Sequence, residues 1–283
     1  ALFRSDYVYF SSYSTSWLEH SQAYASKMLE LLDLSDQDLV IEVASNDGYL
    51  LQYFTENGVQ VLGIEPSSGV AEVAIKKGIS TVVDFFGAEL AKKLAFEKKP
   101  KLMLGNNVLA HVPDLHDFIK GFSILIAPEG LITFEFPHIV SLIRNNQFDT
   151  IYHEHYSYLS VTSLSPIFEN HGLRITKVER LNTHGGSIRI YVVRSDSSWE
   201  TSDSVSEILQ EETENDPRDK VIWQSLQEKT LRVKIDLLEE LVKCKRQGIK
   251  VAAYGAAAKG NTLLNYCGID SDLINYVVDL NPH

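Results

Sequence analysis

Cysteine is nearly absent. Cys244 and Cys267 are the only two in 283 residues, and they form no metal-binding spacing. A count this low fits a reducing cytoplasm, the localisation we expect. No stretch of about 18 apolar residues occurs, so no membrane-spanning helix is expected. No signal peptide is visible, because the first residues run straight into an aromatic, polar segment. Positive charge is scarce: 26 Lys and Arg against 38 Asp and Glu leave a net charge of −12. The dense basic clusters, Lys98–Lys101 and Lys243–Arg246, read as solvated element ends, so nucleic acid is not an expected partner. The chain also lacks the dinucleotide fingerprint G-x-G-x-x-G and the P-loop pattern.

What remains is an ordinary globular composition, 44% hydrophobic and 23% charged. The length suggests about two domains. Residues 1–37 read as an aromatic, serine-rich arm followed by a helix over 16–33. From residue 38, short apolar runs alternate with helical segments. Strands are expected at Leu39–Val43, Val59–Ile64, Thr81–Val83, Lys101–Leu104 and Gly130–Phe136, with helices near 49–56, 69–77, 88–97 and 114–126. This alternation implies an α/β fold with a parallel sheet. Residues 137–164 break the rhythm, with three histidines, four aromatics and little regular pattern. A long irregular segment in a compact domain is usually functional. A helix near 165–171 and strands at Leu173–Leu181 and Ser187–Arg194 then close a domain spanning 38–195.

Residues 195–220 are polar and acidic and read as a boundary. A helix over 221–247 carries an apolar stripe of Ile222, Leu226, Leu231, Ile235, Leu238 and Leu241, with Gly248 as its C-terminal cap. Val251–Tyr254, a glycine- and alanine-rich turn, an apolar helix and Tyr276–Asp279 begin a second Rossmann-like unit within 196–283. Two strands alone make no stable sheet of this kind, so the natural protein is expected to continue.

The turn Glu42-Val43-Ala44-Ser45-Asn46-Asp47-Gly48 follows the first strand, at the end where α/β sheets bind ligands. Its small residues allow close backbone approach, and the following helix offers free N–H groups. Ala44 stands where glycine is common, which we expect to be tolerated at negative φ. Glu65, followed by Pro66, ends the second strand, where an acid can accept both hydroxyls of a ribose. Asp84 and Phe85 end the third, placed for an adenine; Asn106 and Asn107 end the fourth. Four such loops in register favour a nucleoside cofactor.

The densest cluster of reactive side chains is Phe148–Tyr158. Three chemistries are open. His153 and His155 as metal ligands would need two further ligands, and no cysteine is near. Asp149 and Glu154 as a carboxylate pair have nothing to fix their separation. A histidine base, oriented by a neighbouring Glu and aided by a Tyr hydroxyl, could take a proton from carbon beside a carbonyl. Spacing alone does not choose between His153 and His155. His184 sits in the turn Thr183–Ser187, either as a cap or facing a pocket. The loop Gly255–Thr262, with Lys259 and Asn261, could cradle a phosphate.

Taken together, these residues resemble the S-adenosylmethionine (SAM)-dependent sugar C-methyltransferases of deoxysugar biosynthesis. The resemblance rests on Asp6–Ser12, Glu42–Gly48, Asn106–Asp114, Glu135–His138, Asn146–Tyr158, Thr183–Ser187, Tyr254–Cys267 and Val278–Pro282. It implies a class I SAM-methyltransferase domain followed by the start of a second Rossmann-like domain, with SAM as cofactor. The substrate implied is a nucleotide-linked 4-keto-deoxysugar, methylated next to its keto group at C-3. The base implied is His155, assisted by Tyr152 and Glu154, with Tyr158, His184, Lys259 and Asn261 toward the substrate. Family members usually carry a cysteine-rich zinc module, which this sequence does not show, and no metal is expected. A monomer is expected. Oxygen or nitrogen methylation, or non-catalytic binding of a nucleotide-sugar, are the rival readings.

Overall fold

The computed structural model describes residues 10–94 and 99–279. Tyr7 and Tyr9 of the aromatic arm, Lys98 and residues 280–283 lie outside them. A one-turn 3-10 helix, Ser11–Tyr13, precedes α1 (Thr15–Leu32), whose N-terminus is capped by the Ser14 hydroxyl accepting from Trp17 N–H. Then follow β1 (Leu39–Val43), α2 (Leu51–Glu56), β2 (Gln60–Ile64), α3 (Ser68–Lys76), β3 (Thr81–Val82) and α4 (Ala88–Lys93). Next come β4 (Leu102–Asn106), α5 (Leu115–Leu125), β5 (Leu131–Pro137), α6 (Ile139–Arg144), α7 (Val161–Glu169), β6 (Leu173–Leu181) and β7 (Ser187–Arg194). The chain ends in α8 (Asp203–Glu214), α9 (Lys220–Arg246), β8 (Ala252–Tyr254), α10 (Ala258–Cys267) and β9 (Tyr276–Val278). None of the described helices is long and apolar enough to cross a membrane.

The first seven strands form one sheet in the order β3-β2-β1-β4-β5-β7-β6. All pairs are parallel except those made by β7, which runs antiparallel to both β5 and β6. Alternate residues face opposite layers. Ile41, Met103 and Ile132 join Phe118, Phe122, Leu164 and Phe168 of α5 and α7. Val40, Leu102, Leu104 and Leu131 pack on Tyr24, Met28, Leu51 and Phe54 of α1 and α2. The strand order reverses between β1 and β4, and a crevice for a ligand opens at the carboxyl ends there.

Three local expectations are corrected. The segment 137–164 is not irregular throughout: α6 occupies its start, with Ile139, Val140, Leu142 and Ile143 buried against Leu226 of α9. The polar stretch 195–220 contains α8. Val205, Ile208 and Leu209 of α8 pack on the main core, and Ser204 Oγ accepts from Val178 N–H of β6. Ala44 has φ +59°, not a negative value, because the chain must turn sharply out of β1.

The stripe on α9 is only partly covered. Leu226 and Leu241 are buried, whereas Leu231 and Ile235 are about half exposed. β8 and β9 pair in parallel as a separate two-stranded sheet. α10 returns to the main body where Tyr266 meets Phe148, ring centroids 5.1 Å apart.

Candidate functional site

The carboxyl ends of β1 and β4 are lined with buried polar atoms that have no hydrogen-bond partner in the protein. They are Ser45 Oγ, Asp47 Oδ1, Asn106 Oδ1 and Asn107 Oδ1, beside the buried Glu42 carboxylate, which the Tyr49 hydroxyl approaches. Burial drives the Glu42 pKa well above the usual carboxylate range, with the Tyr49 hydroxyl acting against it. An orphaned buried acceptor costs about 1–3 kcal/mol, so such a concentration marks a place built for donors from elsewhere. The turn reaches this shape through left-handed backbone at Ala44, Asn46 and Gly48. Gly48 has φ +77°, a conformation that favours glycine, and a Cβ there would press on the tip of Ile79.

Glu65 is buried at the end of β2. Its two oxygens accept from Asn46 N–H at 3.0 Å and Ser67 N–H at 2.9 Å, which tie the β1 and β2 loops together. Burial raises its pKa against those two donors. Each oxygen keeps acceptor capacity, as a pair of ribose hydroxyls requires. Pro66 follows it into α3. Asp84 and Phe85 are exposed beyond β3, Phe85 at 57%. Asp84 Oδ1 accepts from Phe85 N–H, holding the aromatic beside the acid. The N-terminal arm folds over the same rim, with Ser11 N–H donating to Asn46 Oδ1 at 3.0 Å. Acceptors in this number fit the ammonium and hydroxyl donors of SAM.

The second cluster surrounds His155. Its Nδ1 lies 2.8 Å from the Thr150 carbonyl, which can only accept, so Nδ1 carries the proton and Nε2 the lone pair. This corrects the expected orienter: the Thr150 carbonyl, not the Glu154 carboxylate, sets the ring, because the turn 147–155 brings that carbonyl underneath it. The Tyr152 ring lies tilted against it at 4.4 Å between centroids, and Tyr158 meets the ring edge-on at 6.0 Å. Burial lowers the His155 pKa; Lys259 adds to this, while the Thr150 carbonyl and Glu154 oppose it. His153, by contrast, is exposed.

His111 is a member of this cluster that spacing alone did not single out. It sits in a one-turn helix after β4, with Nδ1 3.0 Å from the Glu154 carbonyl. Its signal was its place just after the Asn106-Asn107 strand end. Burial and the neighbouring His155 lower its pKa to about 4.

His184 occupies a left-handed turn (φ +51°) between β6 and β7. Burial lowers its pKa, with Lys259, His20 and His155 adding to this and Glu135 opposing. With Trp17, His20 and Thr183 it lines a cavity of about 590 Å³ under the start of α1. Lys259, at the start of α10, acts electrostatically on both His155 and His184. Asn261 is not brought to this group: it is exposed, and its oxygens accept from Asn265 Nδ2 on its own helix. Glu135, at the end of β5, was also missed. Its carboxylate takes Arg189 Nη2 at 2.6 Å and the Thr183 hydroxyl at 2.9 Å, with His20 Nε2 at 2.9 Å. Among the described residues no group of three or more His, Cys, Asp or Glu is placed to hold a metal ion.

Residues 17–178 match the family model described as a methyltransferase domain, and residues 182–283 match the C-methyltransferase C-terminal domain. The chain is 36% identical over 274 residues to the C-methyltransferase NovU of Streptomyces niveus, covering 96% of this chain and 65% of NovU. The chain thus spans about two thirds of that relative's length. Among solved structures, it resembles magnesium protoporphyrin IX methyltransferase from Synechocystis PCC 6803 with bound SAH. The TM-score is 0.50 at 15% identity, over 63% of this chain and 83% of that one. With its strand order and these matches, the chain belongs to the methyltransferase-domain family and has the class I methyltransferase fold.

Proposed function

We propose that the protein is a C-methyltransferase that acts next to the keto group, at C-3, of a nucleotide-linked 4-keto-deoxysugar. When bound, SAM supplies an electrophilic methyl group. This chain's residues do the rest. Glu42, Ser45–Gly48, Glu65, Pro66, Asp84, Phe85, Asn106 and Asn107 hold and orient the cofactor. His155 Nε2 takes the C-3 proton, leaving an enolate as the nucleophile. Tyr152 and Tyr158 stand where a hydroxyl can donate to the developing oxyanion. Glu154 favours the imidazolium that forms. Lys259, with His184, faces the diphosphate and sugar.

One observation carries this reading: a half-buried imidazole with a fixed tautomer and a lowered pKa, amid aromatic rings, near a cofactor cradle. Methyl transfer to oxygen or nitrogen needs no base of this kind at a carbon acid. The test is His155→Ala, assayed with keto-sugar nucleotides, with S-adenosylhomocysteine (SAH) titrated in parallel. The variant is expected to bind SAH as the wild type does and to lose at least about a hundredfold in turnover. NMR of the product should show the new methyl on carbon. Wild-type turnover in the variant, or a methyl on oxygen or nitrogen, sinks the proposal.

A further inference from the structure

Glu212 lies on α8, remote in sequence from every residue assigned above, yet its side chain is 1% exposed. Its Oε1 takes His138 Nε2 at 2.9 Å and Val161 N–H at 2.7 Å. Its Oε2 takes Thr162 N–H at 2.7 Å and the Thr162 hydroxyl at 2.5 Å. Two donors on each oxygen fill the carboxylate's capacity. Burial alone would raise its pKa, but these donors hold it below the usual carboxylate range. Hydrogen bonds to an ionised group of this kind are the strong ones.

The donors come from the two ends of one segment. His138 follows β5 directly, and Val161 and Thr162 open α7. Between them lie α6 and the cluster of Tyr152, Glu154, His155 and Tyr158. The ends also meet through Ile139 N–H donating to the Leu159 carbonyl at 3.0 Å. The helix α7 does not need Glu212 to start, because Ser160 and Ser163 already form a capping box. What Glu212 alone supplies is the bond across to His138.

We propose that Glu212 is a positioning residue that clasps both ends of the 139–160 segment and so fixes His155 relative to the cofactor cradle. Its catalytic consequence rests on the reading of His155 as the base. An error of about 1 Å at such a group costs on the order of a hundredfold in rate.

The test compares the whole chain with its Glu212→Gln and Thr162→Val variants. The readouts are amide exchange, the titration of the His155 imidazole by NMR, and SAH calorimetry. Glu212→Gln should keep SAH affinity within about twofold and speed exchange over 146–158 about tenfold or more, leaving β1 and β4 protected. The His155 midpoint should rise toward the ordinary imidazole value as its surroundings open. Unchanged exchange and titration overturn the proposal, as does exchange accelerated equally across the sheet. If Glu212→Gln does not fold, Thr162→Val decides: local acceleration at smaller amplitude supports the clasp, and none overturns it. The two readings separate cleanly. Should the loop loosen while turnover persists in both Glu212→Gln and His155→Ala, the clasp stands and the base assignment falls.

Discussion

The rings of His111 and His155 meet edge to face, with centroids 4.8 Å apart and planes at 62°. Each holds its Nδ1 against a backbone carbonyl, Glu154 for His111 and Thr150 for His155. Two imidazolium ions this close repel, and burial disfavours either one. Burial is the larger cause of the lowered pKa in both. A base must be neutral to act, and a lowered pKa keeps it neutral as pH falls through 6.5. The acid limb of the kcat/KM profile is therefore expected to have its midpoint below 6.5. A midpoint at or above that value would contradict His155 as the base in this setting.

His111 also links stability to pH. It titrates near 6.5 when unfolded and about 4 when folded. With the folded value depressed, its contribution is complete above pH 6.5 and is lost as pH falls toward 4. The loss is on the order of 3 kcal/mol. Urea unfolding of the wild type and His111→Gln at pH 7 and pH 4 reads it together with its coupling to the neighbouring His155. The wild type should lose more stability than the variant by about that amount. Parallel losses would show that His111 protonates as readily in the folded protein as outside it.

Ala44 and Asn46 both adopt left-handed backbone, at φ +59° and +49°. Asparagine tolerates this conformation; alanine pays about 1–2 kcal/mol for it. Glycine would remove the strain but lose a half-buried methyl and gain unfolded-state entropy worth up to about 1 kcal/mol. Ala44→Gly is expected to stabilise by less than about 1 kcal/mol, raising Tm by a few degrees at most. SAH affinity should be unchanged. A lower Tm would mean that the methyl's contacts outweigh the strain.

The sheet was legible because its period is short and its strands are apolar. Leu173–Leu181 and Ser187–Arg194 fall where alternation places them, and β1, β2, β4 and β5 within two residues. The loops proposed for the cofactor were placed because each sits at a strand end, a position that topology repeats. α8 was not, since Glu and Ser dominate its surface. Yet Val205, Ile208, Leu209 and Glu212 recur at helical spacing, and the buried member that matters is charged. α6 was hidden by Pro137 and by neighbours without helical period. The condition set for Ala44, a negative φ, is not met, because residue type alone does not report the backbone turn out of β1. His111 meets His155, and Glu135 meets His20, only through the tertiary fold, which no local pattern carries. That His153 is exposed and His155 half-buried is likewise a property of the fold.

Glu135 and Arg189 form a fully buried pair at 2.6 Å, their side chains 0% and 3% exposed. Burial would raise the Glu135 pKa, but His20, Arg189 and Thr183 hold it below the carboxylate range. The Arg189 guanidinium also lies over the Tyr24 ring, 4.4 Å from its centroid. Removing one partner leaves the other charge buried and uncompensated. Arg189→Met is therefore expected to cost about 3–5 kcal/mol in urea unfolding. Glu135→Gln with Arg189→Met should cost less than the two single changes added together, since no charge is then stranded. The effect should reach the cavity, because Glu135 holds Thr183 and so the turn that carries His184. The His184 resonance is expected to shift in Arg189→Met, whereas that of His116, exposed at the start of α5, should stay in place. A cost under about 1 kcal/mol, or strict additivity of the pair, would show that water reaches Glu135 and that the ion pair does not hold this wall of the site.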